Sequence, residues 1–422
     1  MPKARTSEDT RRRVTMVGSV LFYLLIISNV LGLLYALFSV PPDIFDAEIR
    51  PLMFVIPYPP FLVISDYYIT GYAAVAFFIA LALSIFISLG IIIGKDMRPF
   101  AKIGGKLLSS EDVSPEEEKE FDGNSFTLIS EMFMANIAFN IAYVIILAIF
   151  RVNMETPDLD DYESYELMFA LARASVWEEL ITRIAFIGIP LIFLWSFGRG
   201  HLFHWMGGKE KVEGRKWYNY LFGGGFEVNG FIAILIIISS LLFALAHISS
   251  WDAYKVVPTF VGGLALGYLF VKKGVHASII LHFAIDYLTI LPEAIGGVVG
   301  FGLSAMIGLS IIVLFALGIM VFYKYALGVL EFITGLTRQN VVPTTGDTAG
   351  GGGGPYGTEP RYGEPVGLEE RDHLKGESKE MGLEEPNMVL RNSMMGTPVE
   401  EEIGEEPLVD LKKEEPIDRD EF

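Results

Sequence analysis

Apolar residues along this chain fall into eight blocks, at approximately 15–40, 71–94, 125–150, 166–197, 229–249, 256–271, 274–292 and 299–333. A membrane-crossing helix needs roughly 20 apolar residues to span a hydrocarbon core of about 30 Å. Most of the blocks reach that length. The pattern therefore predicts an all-α fold, a polytopic integral membrane helix bundle with about eight transmembrane helices. One further apolar stretch, PLMFVIPYPPFLV at 51–63, is broken by four prolines. Proline interrupts helices, so this stretch is expected at the interface or packed on the bundle. No soluble domain with its own core stands out, and no repeat.

Composition adds less than distribution does. The chain has 422 residues and is 52% hydrophobic, against about 45–50% for soluble domains. It has no cysteine, which excludes disulfides, thiolate metal sites and a cysteine nucleophile. The net charge of −19 is unevenly placed: Val341 to Phe422 carries 21 acidic and 8 basic residues. That tail opens with a Gly/Pro-rich run containing GGGGP and is poor in apolar residues, a composition expected to be disordered. The expected organisation is a basic cytoplasmic arm (1–14), a transmembrane helical domain (15–335) and a disordered acidic tail (336–422). The first apolar run is long for a signal segment and is read as a retained span. Nothing points to nucleic acid as a partner; the lipid bilayer is the expected one.

Loop charge orients the bundle, because Lys and Arg concentrate on the cytoplasmic side. Arg11, Arg12 and Arg13 precede the first block. Lys95, Arg98, Lys102 and Lys106 follow the second, Lys209, Lys211, Arg215 and Lys216 the fourth, and Lys272 and Lys273 the sixth. The loops 41–70 and 152–165 are acid-rich. This predicts a multi-pass cell-membrane protein with both termini cytoplasmic. The acidic loop 108–122, SSEDVSPEEEKEFDG, falls on the cytoplasmic side, where acids weigh little in the rule.

Ionisable residues inside the spans are costly and must face a partner, a cavity or water. Three groups qualify. WEELITR, in the fourth block, carries Glu178, Glu179 and Arg183. In an α-helix Glu179 and Arg183 are i and i+4 and can pair. Adjacent residues point about 100° apart, so the two carboxylates should not serve one face equally. Glu178 is left as the freer carboxylate and the better candidate general base. His247 closes SSLLFALAHISS, with Phe243 one turn earlier. His282 and Asp286, in IILHFAIDYL, are i and i+4 on another apolar helix. Taken singly, each group can be structural: a salt bridge, an interfacial histidine, an interhelical hydrogen-bonded pair.

Together they suggest hydrolysis. A glutamate can take a proton from water, a histidine can position that water, and a His–Asp pair can stabilise an oxyanion. Glu178, His247 and His282 could instead form a hydrolytic zinc site. A proton-coupled transporter or a non-catalytic scaffold would also place such groups in a membrane.

These residues resemble the motifs of the CAAX-protease and bacteriocin-processing (CPBP) intramembrane proteases, which include the membrane CAAX prenyl endopeptidases. EELITR is similar to the family's Glu-Glu-x-x-x-Arg motif, FALAH to Phe-x-x-x-His, and HFAID to His-x-x-x-Asn/Asp. Their order agrees, and the resemblance covers about residues 165–290. It implies an endopeptidase acting on a membrane protein or lipid-modified peptide, with Glu178 as base assisted by His247. His282 and Asp286 would form the oxyanion site, Glu179 and Arg183 would support the architecture, and no cofactor would be needed, with zinc as the alternative. Two departures stand out. Asp286 replaces the commoner Asn, and an ionised Asp cannot donate to an oxyanion, so it must be protonated or orient His282. Thr182, Arg183, Ile184 and Ala185 stand where motif one usually ends in aromatic-Arg-Gly.

Other candidates are expected to be structural. Asn136 and Asn140 share a face of the third block with Glu131 nearby. His201 and His204 lie in a basic loop. Arg173 can pair with Glu178 or with an acid elsewhere. Gly223 to Gly225 reads as a flexible entry to the fifth span. A plain crossing of 229–249 places His247 near the outer end of its helix, whereas Glu178 falls in mid-block.

Overall fold

The computed structural model describes residues 7–46, 55–56, 62–63, 69–152, 164–197, 216–248 and 253–339. His201, His204, Lys209, Lys211, Arg215 and the acidic tail from 340 onward lie outside the described residues, as does most of 51–63.

Every apolar block is helical. The first is α1 (Ser7–Asp46). A two-residue antiparallel ribbon follows, β1 (Val55–Ile56) with β2 (Leu62–Val63). Next come α2 (Gly71–Ser109), the short α3 (Pro115–Asp122) and α4 (Ser125–Ile149). The fourth block is a continuous run of α5 (Ser164–Arg173), two π-helical stretches at Ala174–Glu178 and Leu180–Gly188, and α6 (Ile189–Phe197). After α7 (Trp217–Phe222) and α8 (Gly230–Ala246), a 3₁₀ turn at Ala253–Lys255 leads into α9 (Val256–Lys273). The chain then forms α10 (Val275–Asp286), α11 (Ile290–Ile295) and α12 (Gly297–Gln339). Among the described residues five helices are long and apolar enough to cross a membrane: Glu8–Asp46, Gly71–Ser109, Ser125–Ile149, Ala253–Lys273 and Gly297–Gly335. Two more, α8 and α10, are apolar but shorter.

Local signals set the helix ends. Ser114 and Glu117 form a reciprocal capping box at α3, with Pro115 in its first turn, which satisfies two orphan amide donors. Asn124 caps α4 and Asn229 caps α8 through their side-chain oxygens. The core is aromatic and aliphatic, with Phe22, Phe78, Phe133, Phe283 and Tyr287 fully enclosed. Outward faces stay apolar, as at Phe38, Val298 and Phe301, as a lipid-facing helix surface requires.

The acidity of loop 108–122 has a structural reason. Arg12 pairs with Asp122 at 2.9 Å and with Glu118 at 2.9 Å, and Lys106 pairs with Glu117 at 2.6 Å. Acids in this loop neutralise cations at the same end of the bundle. Nearby, Glu131 of α4 is buried and accepts from Arg11, Thr15, Lys324 and Tyr325. It thereby ties α1, α4 and α12 together.

The glycine run 223–225 is not a flexible entry. Its three residues hold positive φ values of 73°, 93° and 76°, a backbone that glycine adopts without steric cost. The run wraps the end of α9: Gly224 N–H donates to Phe270 O, Gly225 N–H to Lys272 O, and Phe226 N–H to Val271 O. Terminal helix carbonyls lack intrahelical donors, and this loop supplies them.

Candidate active site

The site grows out of the π-helical part of the fourth block. A π-turn closes i→i+5 hydrogen bonds and is wider than an α-turn; Ile189 N–H, for instance, donates to Ile184 O five residues back. Successive side chains are then rotated by less than the α-helical 100°. The two carboxylates serve His282 unequally, on opposite ring nitrogens: Glu179 Oε1 is hydrogen-bonded to Nδ1 at 3.0 Å, whereas Glu178 Oε2 stands off Nε2 at 3.9 Å.

Glu179 is more than a brace for Arg183. Its second oxygen accepts from Arg183 Nε at 3.2 Å, so one carboxylate bridges the guanidinium and the imidazole. Arg183 is fully buried. Its Nη1 donates to Ser239 Oγ at 2.7 Å, Ser239 Oγ donates to Thr182 O at 2.8 Å, and the guanidinium stacks over Phe243. Phe243 also packs edge-on against His247 and His282, with centroids 4.8 Å and 5.9 Å away. The sequence motif carried Phe243 only as a marker for His247. Its position between both histidines and the arginine needs the tertiary fold.

Glu178 is held differently. Its Oε2 has no hydrogen-bond partner among the described residues, yet a quarter of its side chain stays exposed. It faces His247 Nε2 at 4.0 Å. His247 Nδ1 lies 2.8 Å from Phe243 O, and a carbonyl can only accept, so Nδ1 carries a proton. In the neutral ring Nε2 is then an acceptor. Asp286 Oδ2 lies 3.4 Å from His282 Nε2 and 3.4 Å from Ser175 Oγ. Lys255 is within electrostatic reach of Asp286, and Arg173 of Glu178. Sequence reasoning missed Ser175, Ser239 and Lys255, none of which belongs to a motif.

The apparent mismatch in depth also resolves. Glu178 lies 19 residues before Phe197, where the fourth block ends, and His247 lies 17 residues after Gly230, where α8 begins. The intervening chain joins those two ends, so the helices run antiparallel. The crossing contacts agree, with Thr182 O accepting from Ser239 Oγ and Glu178 facing His247, so both side chains lie at a similar distance from the same end. The fourth block is longer than one crossing, so its middle is not the middle of the membrane.

All four candidate residues therefore meet: Glu178, His247, His282 and Asp286 come from the fourth block, α8 and α10. Among the described residues no group of three or more His, Asp or Glu is placed to hold a metal ion. Glu178 stands about 4 Å from both histidine Nε2 atoms.

Residues 162–288 match a family model described as Rce1-like, type II CAAX prenyl endopeptidase. The segment coincides with the three motifs and with every side chain of the cluster. The match shows the family resemblance that the motifs carried, and it supports a membrane protease. No curated protein and no solved structure matches the chain.

Proposed function

Taking the Rce1-like segment as the premise, we propose that this chain is an intramembrane endopeptidase that hydrolyses a peptide bond with water activated by Glu178 and His247. The observation that carries the reading is the unpartnered Glu178 Oε2 facing the His247 Nε2 acceptor across 4.0 Å. A gap wider than 3.5 Å between polar atoms invites a bridging water. The attacking water is placed between Glu178 and His247, reached through the quarter of the Glu178 side chain that is exposed; Oε2 itself is enclosed.

In the reaction, Glu178 takes a proton from this water as its oxygen bonds to the substrate carbonyl carbon. The carbonyl π electrons move onto oxygen, and the resulting oxyanion accepts a hydrogen bond from His282 Nε2–H. Collapse of the tetrahedral intermediate breaks the C–N bond, and Glu178 passes its proton to the leaving amine. Glu179 accepts from His282 Nδ1–H and fixes the ring. Asp286, 3.4 Å from Nε2, is a positioning residue that accepts Nε2–H in the resting site and yields it to the oxyanion. This role reconciles its identity with the family pattern: a carboxylate that cannot donate to an oxyanion can orient the imidazole that does. The substrate is a membrane-associated polypeptide, with lipid-modified proteins as the class that the family's description offers.

The test is cleavage by purified protein in nanodiscs, with substrates captured by the Glu178→Gln variant. Loss of cleavage in that variant with its fold intact supports the reading. Retained cleavage sinks it.

A further inference from the structure

The middle of α1 carries a polar residue where its pattern calls for an apolar one. Positions 22, 26, 29, 33 and 36 follow one another at spacings of four and three, which keeps them on one helix face. Phe22, Ile26, Leu33 and Ala36 are buried there, and so is Asn29. Its Nδ2 donates to Phe283 O and to Ala284 O, both at 3.2 Å. An amide nitrogen has two N–H groups, and both are engaged. The reverse orientation would set Oδ1 against two carbonyl oxygens, so chemistry fixes which way the amide points. Oδ1 has no hydrogen-bond partner among the described residues. The side chain leaves its acceptor unmatched and keeps both donors on α10.

What these donors hold is the last turn of α10. Carbonyls there lack intrahelical donors, and such ends fray. Phe283 and Ala284 lie on that turn, between His282 and Asp286. A second tie comes from the fourth block: the enclosed Tyr287 donates its hydroxyl to Met168 O at 2.7 Å. Gly32, one turn after Asn29, lets α1 come close behind the same end. A Cβ there would stand 3.3 Å from Leu291 N and from Ile290 Cγ2. Asp286 needs this anchoring more than His282 does. Glu179 holds His282 at 3.0 Å. The contacts of Asp286 with His282 Nε2 and Ser175 Oγ are both 3.4 Å, beyond ordinary hydrogen-bond length. The better-placed acceptor for the Ser175 proton is Leu171 O, at 2.8 Å. The backbone that carries Asp286 must therefore be fixed by other means.

We infer that Asn29 is a positioning residue of the site: it fastens the turn of α10 that sets Asp286 against His282. Asn29 lies on α1, outside the segment 162–288 that matches the family model. That segment therefore does not carry the whole site. The effect on turnover rests on the protease reading; the anchoring of the turn does not. Asparagines between membrane helices commonly serve as glue. Glue acts on stability alone, whereas a positioning residue acts on the site through Asp286.

The experiment uses the full chain in nanodiscs. Asn29→Leu matches the branching of the side chain and has no donor; Asn29→Asp, neutral when buried, keeps one. Mass spectrometry reads backbone amide exchange over 283–291 and exchange of the His282 C2 hydrogen. Turnover is read on a quenched-fluorescent prenylated peptide, the class named in the family's description. In Asn29→Leu, amide exchange over 283–291 should quicken while α4 stays unchanged, and His282 C2 exchange should move as it does in Asp286→Ala. Its kcat should fall roughly 10- to 10²-fold, the cost of a small misplacement, with KM little changed, and Asn29→Asp should fall between it and the unaltered chain. In the Asp286→Ala background the further loss should be less than about twofold, because coupled residues are not additive. Unchanged amide exchange overturns the inference, and so does faster exchange with His282 or turnover unaffected. A full-sized loss in the Asp286→Ala background also overturns it, as does failure of both Asn29 variants to fold. Altered exchange at the turn and at His282, with no cleavage by the unaltered chain, leaves the positioning in place and counts against the protease reading instead.

Discussion

Two glutamates of the apolar helices, Glu131 and Glu178, are treated in opposite ways. Glu131 is 1% exposed in its side chain, and both its oxygens are filled: Arg11, Thr15, Lys324 and Tyr325 all donate to it. Glu178 is more open, and its Oε2 has no hydrogen-bond partner among the described residues. Burying an ionisable group in a membrane is costly. At Glu131 the cost is offset by cations from two other helices, and the product is a joint. Beside Glu178, Arg183 is taken by Glu179, and Glu178 Oε2 is left without a hydrogen-bond partner among the described residues. On the proposed reading the saturated carboxylate is a structural joint and the open one is the base.

The comparison can be broken by exchanging charge for isosteric amide. Glu178→Gln should cost roughly 10²–10⁴-fold in cleavage, the usual contribution of a general base. Its thermal midpoint in detergent should be unchanged or higher, since active sites often sacrifice stability. A large drop in midpoint would make Glu178 a structural group after all. Arg183→Met should do the reverse of a clean catalytic change. It strands Glu179 with no cation at full burial, a loss of roughly 3–5 kcal/mol, read as a lower thermal midpoint. Glu131→Gln should destabilise by about 2–3 kcal/mol, because Lys324 and Arg11 keep some access to water. In the fraction that remains folded, cleavage per molecule should be normal.

Smaller effects sharpen the same contrast. Glu117, on α3, accepts from Lys106, which holds its carboxyl below the usual carboxylate range. A lowered folded pKa gives stability that is present above the unfolded value and lost as pH falls through the folded one. Thermal midpoints should therefore decline below the ordinary carboxylate range, and Lys106→Met should flatten that decline. At the bottom of the scale, EDTA should leave cleavage unchanged. Abolition by chelator with restoration by zinc would turn the vacancy at Glu178 into a ligand position.

Much of this was legible in the sequence, for physical reasons. A span needs a long apolar run whatever it packs against, so all eight helical blocks appear in the hydropathy pattern. Glu178, His247, His282 and Asp286 stood out because charge in such a run needs a reason. What could not be read depends on distant partners or on backbone geometry. Glu131 finds Lys324 from 193 residues away. Glu179 finds His282 from 103 residues away. The π-helical turns around Glu178 and Glu179 leave no compositional trace. Gly223 to Gly225 reads as looseness in one dimension and is a fitted cap in three.

The π-helical run from Ala174 to Gly188 has a consequence for insertions and deletions. A segment of fixed span holds more residues when its turns are wide than when they are α-helical. Removing one residue between Glu179 and Arg183 would let the local backbone fall back to the commoner helix, while α5 and α6 kept their ends. The price would be angular: Glu178 would swing about 100° relative to Arg183 and leave the face of His282. The spacing of this stretch, as much as the identity of its acids, is thus a constraint on the chain, and a change in length that improved the helix would dismantle the site.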